Sequence, residues 1–185
     1  METVPIPFCE AVASLVKRLR EFGPQLPETC WKAAFNDQKA NRQVFTWYFM
    51  FDYEPKHFFI NSFKRKNLAE IEKIDRKYLQ IHQVDFMLSR WSRFQASPCN
   101  NLVDLVNQVK PLMNTPTLMY RKVEFEFENK YKVQMQRALN CIDFAKICIS
   151  GSDTFIEQFS KTQLRKNKSC KIFILPGPPN VYIVY

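Results

Sequence analysis

Apolar residues in the first part of the chain recur at helical spacing. Between residues 4 and 19 they stand at i, i+4, i+7, i+8 and i+11, a pattern that forms one face of an α-helix. These positions are Phe8, Val12, Leu15, Val16 and Leu19. A second helix is predicted over 28–40, with Trp31, Ala34 and Phe35 on its apolar side.

The period of the pattern changes after the second helix. Aromatic and β-branched residues predominate there, which predicts a β-hairpin of strands 44–52 and 57–63. Helical spacing returns over 67–79, and Asn67 is the expected N-cap.

Strand-like and helical segments alternate in the second half of the chain. Short apolar or alternating runs predict strands at 83–88, 122–127, 145–150 and 170–175. Helical patterns lie between them at 100–113, 130–142 and 153–166. Aligning Val123, Ile147 and Ile172 gives steps of 24 and 25 residues, and the step from Val84 to Val123 is 39.

Steps of this length are typical of strand–helix units such as leucine-rich repeats, in which each unit buries its apolar side against the next. We then expect the last three strands to be parallel neighbours, with their helices crossing on one side of the sheet. The residues expected to cover the sheet are Val133, Ala138, Leu139, Phe155, Ile156, Phe159 and Leu164. The last strand is an edge unless 181–185 pairs with it. An ordinary α/β layer with accidental spacing is the alternative.

Composition predicts a folded, soluble domain. Apolar residues make up 46% of the 185 residues, which is enough for a core, and only three glycines occur, so glycine-rich phosphate loops are excluded. Glu2 and Glu10 do not fit a secretory signal, and no apolar run reaches the roughly 20 residues of a membrane span. We therefore expect no membrane association and an intracellular protein, cytoplasmic or nuclear.

The chemistry-bearing residues form no recognisable catalytic or metal site. The six cysteines include no C-x-x-C pair, so we expect no metal and read the thiols as reduced. His57 and His82 occur without a motif that places a nucleophile beside them. We expect no catalytic residues, no cofactor and no enzyme activity.

The formal net charge of +9 admits a nucleic-acid partner. Basic residues cluster at 64–66 and 161–171, and the hairpin aromatics could in principle stack on bases. Those aromatics are Trp47, Tyr48, Phe49 and Phe51. No known nucleic-acid-binding signature is present, and so apolar a run cannot be fully exposed. Nucleic acid is therefore the less favoured interpretation, and a solvated basic face the simpler one.

One stretch is similar to a known family. The opening METVPIPFCEAV resembles that of a nematode-expanded family of F-box-like and F-box-associated proteins. The resemblance continues through Trp31, the aromatic hairpin, the Tyr78 region before a Val-x-Phe strand, and FIEQFSKTQL before the last strand. Members usually continue with further leucine-rich-like units, whereas this chain runs into PGPPNVYIVY, so we expect a shortened paralogue.

The resemblance implies an adaptor of a cullin–RING ubiquitin ligase. It divides the chain into an F-box-like helical segment, 1–42, and an F-box-associated α/β domain, 43–185. The helical segment would dock on a Skp-type adaptor within the cullin complex, and the domain would recruit an unknown protein substrate. Carried over by position, the docking residues are Val4, Pro5, Phe8, Cys9, Val12, Leu15 and Trp31.

Two alternatives remain at the N-terminus. The segment between Leu19 and Trp31 is short for a full F-box, so the helix could be one that no longer docks on the ligase. An apolar stripe shows what is buried but not whether its partner belongs to the same chain, and on sequence alone such a stripe, here Phe8, Val12 and Leu15, is more often core than interface.

Overall fold

The computed structural model describes most of the chain. The described residues are 4–16, 26, 29–51, 55–62, 64–88, 97–99, 101–121, 129–150 and 154–175. The first elements are α1 Ile6–Leu15, α2 Cys30–Asn41, β1 Gln43–Phe51, β2 Pro55–Asn61, β3 Lys64–Lys66, α3 Leu68–Ile71 and β4 Leu79–Leu88. The later ones are β5 Ser97–Pro98, α4 Leu102–Val109, a 3₁₀ turn Lys110–Leu112, β6 Met113–Arg121, α5 Asn129–Asn140, β7 Lys146–Ser150, α6 Thr154–Lys166 and β8 Lys171–Leu175.

The described strands form one mixed sheet. Its order is β3-β2-β1-β4-β6-β7-β8, with β5 paired to β2. The five strands β1, β4, β6, β7 and β8 are parallel neighbours, whereas β2 is antiparallel to β1, β3 and β5. The α/β class and the predicted aromatic hairpin are confirmed, as are the strands predicted at 145–150 and 170–175 to within a residue.

One face of the sheet carries the main core. Alternate residues of each strand point to it, for example Trp47 of β1, Phe86 of β4 and Leu118 of β6. Residues of α4, α5 and α6 complete the same cluster, so these helices cover this one face. A separate small cluster joins α1 and α2, where the buried residues are Cys9, Ala13, Ala34 and Phe35.

The helix predicted over 67–79 is wrong beyond its first turn. Asn67 does cap it, since its side chain accepts from the Glu70 N–H while the Glu70 carboxylate accepts from the Asn67 N–H. The helix ends at Ile71, however, and β4 begins at Leu79. Residues 72–78 form turns, in which the Tyr78 N–H donates to the Asp75 carbonyl, and they lead directly into β4, which pairs with the whole of β1.

The sequence did not predict strand β6, Met113–Arg121, which lies between the helix predicted over 100–113 and the strand predicted over 122–127. The helix predicted over 100–113 ends at Val109 and passes through the 3₁₀ turn into β6. Pro116 and the left-handed backbone of Thr115, with φ of 40°, sit at an irregularity opposite β4, which hides the strand from its residue pattern. The strand predicted at 122–127 lies outside the described residues.

The register of the parallel strands corrects the repeat spacing. Leu118 of β6 stands opposite Ile147 of β7, which stands opposite Ile172 of β8. These aligned positions are 29 and 25 residues apart in the sequence. The step of 24 residues predicted between Val123 and Ile147 is therefore wrong, because Leu118 stands opposite Ile147. The later step of 25 residues is confirmed.

Two of the residues expected to cover the sheet face solvent instead. Val133 is 48% exposed and Leu164 is 40% exposed, while the other five are buried. At about 100° per residue, Leu164 lies about 110° around α6 from the centre of its buried face. Gln163 takes the inward position and is fully buried. Apolar character alone therefore misjudged the phase of these helices.

Within the described residues, no helix combines the length and the apolar character needed to cross a bilayer.

Candidate docking surface on the N-terminal helices

Helix α1 has two apolar faces, of which only one is buried. Cys9 and Ala13 are fully buried against α2, with the half-buried Val16 beside them. Phe8 and Leu15 lie about 120° around the helix from this line. They are 55% and 63% exposed. The helix therefore presents an apolar face that the described part of the chain leaves exposed.

Small side chains explain why this helix packs by its narrow face. Cys9 and Ala13 meet Ala34 and Phe35 of α2, so the two backbones can approach closely. The Sγ atoms of Cys9 and Cys30 are 3.2 Å apart at this contact. Burial raises the pKa of the Cys9 thiol to about 11, and the hydrogen bond with Cys30 adds to the shift.

Arg42, the residue between α2 and β1, holds the end of α1. Its guanidinium donates to the carbonyl oxygens of Val16, Ala13 and Ser14, at 2.5 Å for Ala13 and 3.0 Å for Ser14. These carbonyls are among those that a helix leaves unpaired at its C-terminus. Arg42 also donates to Oε1 of Gln38, so one side chain joins α1 to α2.

The exposed face continues from α1 onto α2. The rings of Phe8 and Trp31 meet edge to face, with centroids 5.9 Å apart. Nine large apolar residues in the described part of the chain are exposed, and four of them lie between residues 4 and 15. They are Val4, Ile6, Phe8 and Leu15. We call Phe8, Leu15 and Trp31 the α1 face, since Ile6 lies about 160° around the helix from Phe8 and Val4 precedes the helix.

The structure places the seven residues that the resemblance implies for docking in different environments. Phe8 and Leu15 are exposed on the α1 face with the half-buried Trp31 beside Phe8, and Val4 is exposed just before the helix. Pro5 is the exposed N-cap of α1, and Val12 is half-buried. Cys9 is buried between the helices, so it could contribute only by supporting the surface.

Polar contacts fix the helix pair at one edge of the sheet. The Tyr78 hydroxyl donates to both carboxylate oxygens of Asp37, at 2.9 and 2.8 Å, and Gln38 Nε2 donates to the Lys77 carbonyl at 2.9 Å. Asn114 Nδ2 donates to the Leu15 carbonyl at 3.2 Å. All these contacts reach residues at or just before the start of β4 and β6, so α1 and α2 sit at the amino ends of the parallel strands.

A cavity of about 190 Å³ lies between the helix pair and this edge of the sheet. Arg42, Arg76 and Lys77 line it, together with Ser14 and Asn114, and none of its described lining residues is a carboxylate, a histidine or a cysteine. Ser14, Lys77 and Tyr78 could take part in proton transfer or nucleophilic attack in principle, but the described lining offers no carboxylate or imidazole to act as their general base.

The two histidines have unrelated surroundings. His57 is buried among aromatic rings, with centroids at 6.0 Å for Phe59, 6.3 Å for Trp47 and 6.4 Å for Phe49. His82 is exposed, and its Nδ1 lies 3.0 Å from the Phe45 carbonyl oxygen. In the described ranges, no group of three or more His, Cys, Asp or Glu side chains could hold a metal ion.

The hairpin aromatics are arranged for packing. Trp47 and Phe49 are buried in the main core, and Tyr48 stacks on Phe58 with centroids 5.1 Å apart. The Arg65 guanidinium lies over the other ring of that stack, 5.3 Å from the Phe58 centroid. Trp47 and Phe49 are therefore not accessible for stacking on bases.

Sequence reasoning missed Ile6 and Arg42 as parts of this region. Ile6 is 62% exposed at the start of α1, and its apolar character among Val4 and Phe8 was a usable signal. Arg42 gave no local signal, because its partners are 26 to 29 residues away in the chain.

Comparison with protein-family models gives no match, and comparisons with curated proteins and with solved structures find no significant similarity.

Proposed function

We propose that this chain is a non-catalytic adaptor that recruits a protein substrate to a cullin–RING ubiquitin ligase of the F-box type, inside the cell. In this proposal α1 and α2 dock on a Skp-type adaptor, and the α/β part presents the substrate. The proposal requires no cofactor and no metal.

The α1 face is the observation that carries the proposal. Phe8 and Leu15 are 55% and 63% exposed on one side of α1, although this helix has a buried face available, and Val4 and Ile6 add exposed apolar surface at its start. A concentration of exposed apolar side chains is typical of an interaction site. The F-box resemblance of the same stretch supplies the partner, and the amphipathic helix is a recurring way to occupy a partner's groove.

We further propose that the α/β part is a leucine-rich-repeat-like array. Support comes from five parallel strands adjacent in chain order and from three helices that share one core with one sheet face. Two features depart from a plain repeat. In the sequence β2 and β3 come between β1 and β4, and the step from Leu118 to the facing Ile147 is 29 residues.

A direct binding measurement tests the docking proposal. We expect the full chain to bind a purified Skp-type adaptor and Phe8→Asp to weaken binding at least about tenfold, because a central apolar anchor would become a buried charge. Since Phe8 is 55% exposed in the free chain, the Tm of the variant should stay within a few degrees of the parent's.

Val133→Asp is the matched control. Val133 is also an exposed apolar residue on a helix, at 48%, but it lies on α5 far along the chain from α1. This variant should bind as the parent does. A parent chain that does not bind the adaptor, or equal binding by Phe8→Asp, would contradict the proposal.

A further inference from the structure

The contact between α1 and α2 contains two thiols in an unusual arrangement. Cys9 and Cys30 are 21 residues apart in the chain, yet their Sγ atoms are only 3.2 Å apart. This is about 1.2 Å longer than a disulfide bond, a gap that side-chain rotation can close. Among the six cysteines, all of them free and within the described ranges, only these two share a sulfur–sulfur contact.

The two sulfurs differ in access to solvent. Cys9 is fully buried, whereas Cys30 is half-exposed as the first residue of α2. Burial also raises the pKa of Cys9 to about 11, so its thiol keeps its proton at neutral pH. An oxidant from solvent would therefore reach Cys30 first, with Cys9 placed directly behind it.

We propose that Cys9 and Cys30 form a reversible oxidation site, at which a hydroperoxide such as hydrogen peroxide converts the two thiols into a disulfide that links α1 to α2. This inference goes beyond the proposed function and does not depend on it, because it concerns sulfur chemistry in the free chain.

The chemistry balances in two steps. The Cys30 sulfur attacks one peroxide oxygen, the O–O bond breaks, and Cys30 becomes a sulfenic acid while one water leaves. The Cys9 sulfur then attacks the Cys30 sulfur, the S–O bond breaks, and the Cys9 proton leaves with the hydroxyl as a second water. The two thiols lose two electrons, and the peroxide is reduced to two waters.

The position of the bond gives it a structural consequence. Phe8 and Trp31 directly neighbour the two cysteines in the sequence, and their rings meet edge to face. Apart from Cys9 and Ala13, α1 buries little, so a covalent link to α2 would limit its opening. Oxidation would hold the α1 face in the arrangement described here.

Peptide mapping tests the site itself. The folded full chain is treated with hydrogen peroxide, alkylated under denaturing conditions and digested with trypsin, which places Cys9 in peptide 1–17 and Cys30 in peptide 21–32. We expect these peptides to be joined with a loss of about 2 Da, and free Cys30 to fall at least about tenfold. Cys141, a half-exposed cysteine that donates to the Arg137 carbonyl, should stay free.

Variants separate the site from a general effect of oxidation. Amide exchange in 6–15 should slow at least about tenfold on oxidation of the parent and of Cys141→Ser, but not of Cys30→Ser. Conversion of Cys30 to sulfinic acid while Cys9 remains alkylatable would overturn the proposal, as would unchanged exchange in α1. Binding to a Skp-type adaptor is measured separately, so failure of docking would leave this result intact.

Discussion

His57 is the residue with the most clearly perturbed chemistry. Its ring is 4% exposed among Trp47, Phe49 and Phe59, and burial lowers its pKa from 6.5 to about 4. The cause is desolvation, because burial among aromatic rings disfavours the charged imidazolium. The folded chain therefore holds a neutral histidine through the whole physiological range.

This histidine should make stability depend on pH. Because the folded pKa is depressed, its contribution is complete above pH 6.5 and is lost as pH falls toward 4, where the unfolded chain binds a proton that the folded chain does not. The loss should reach about 3 kcal/mol, measured by urea unfolding at a series of pH values. Carboxylates titrate in the same pH range, so the free energy of unfolding of the parent is compared at each pH with that of His57→Phe.

The histidine controls are matched in chemistry and differ in burial. His57→Phe should flatten the dependence between pH 6.5 and 4, whereas His82→Gln, at an exposed position, should keep it. Parallel curves for the parent and His57→Phe would show that the imidazole is not excluded from water in solution.

At the scale of elements, α1 depends on contacts made by distant residues. Its buried face is narrow, and its C-terminal carbonyls are paired by Arg42 and approached by Asn114. No side chain caps its N-terminus, where the Pro5 carbonyl accepts the first N–H groups. The position of α1 therefore depends on its packing against α2 and on the Arg42 guanidinium at its C-terminus.

Arg42→Met should loosen α1 without unfolding the sheet. The substitution removes the hydrogen-bond donors but keeps much of the apolar stem. A hydrogen bond from a charged group contributes about 2 kcal/mol to stability. We expect amide exchange in 6–15 to speed up at least about tenfold while exchange in β4 and β6 is unchanged. Arg76→Met, at an exposed residue lining the same cavity, should leave both regions as they are. Equal acceleration across the sheet would contradict this localised role.

At the scale of the whole molecule, the basic charge is spread over separate elements. Exposed lysines and arginines lie on the edge strand β3 and along α6, and Lys166 is paired with Asp143 at 2.6 Å. The aromatic rings best suited to stack on bases, Trp47 and Phe49, are in the core. With Trp47 and Phe49 out of reach, the exposed charge favours weak, non-specific attraction to phosphates over recognition of bases.

Nucleic-acid binding should therefore disappear with salt. We expect fluorescence anisotropy with single-stranded and duplex oligonucleotides to detect weak binding near about 50 mM salt and essentially none near about 150 mM, because phosphate contacts release counterions. Lys64→Glu with Lys66→Glu should weaken the low-salt binding only in part. Binding that prefers one sequence and persists at the higher salt would favour the nucleic-acid interpretation over the adaptor.

The sequence alone determined which stretches become strands and helices wherever local pattern and packing agree. The aromatic run 44–63 had a residue pattern suited only to a half-buried hairpin, and Asn67 with Glu70 specified a helix start within four residues. The last two strands and α6 followed from the same agreement. Period and capping act over a few residues, so they can be read without the fold.

The tertiary structure decided what depends on distant partners. Strand β6 exists because β4 and β7 flank it, in spite of Pro116, and the phase of α5 and α6 was set by the sheet that they cover. The stripe of Phe8 and Leu15 predicted a helix correctly but could not say which side of it is buried. The small residues Cys9 and Ala13 pack against α2, while the large residues Phe8 and Leu15 remain exposed. The packing of the two helices determines this arrangement, and it cannot be deduced from the sequence of α1 alone.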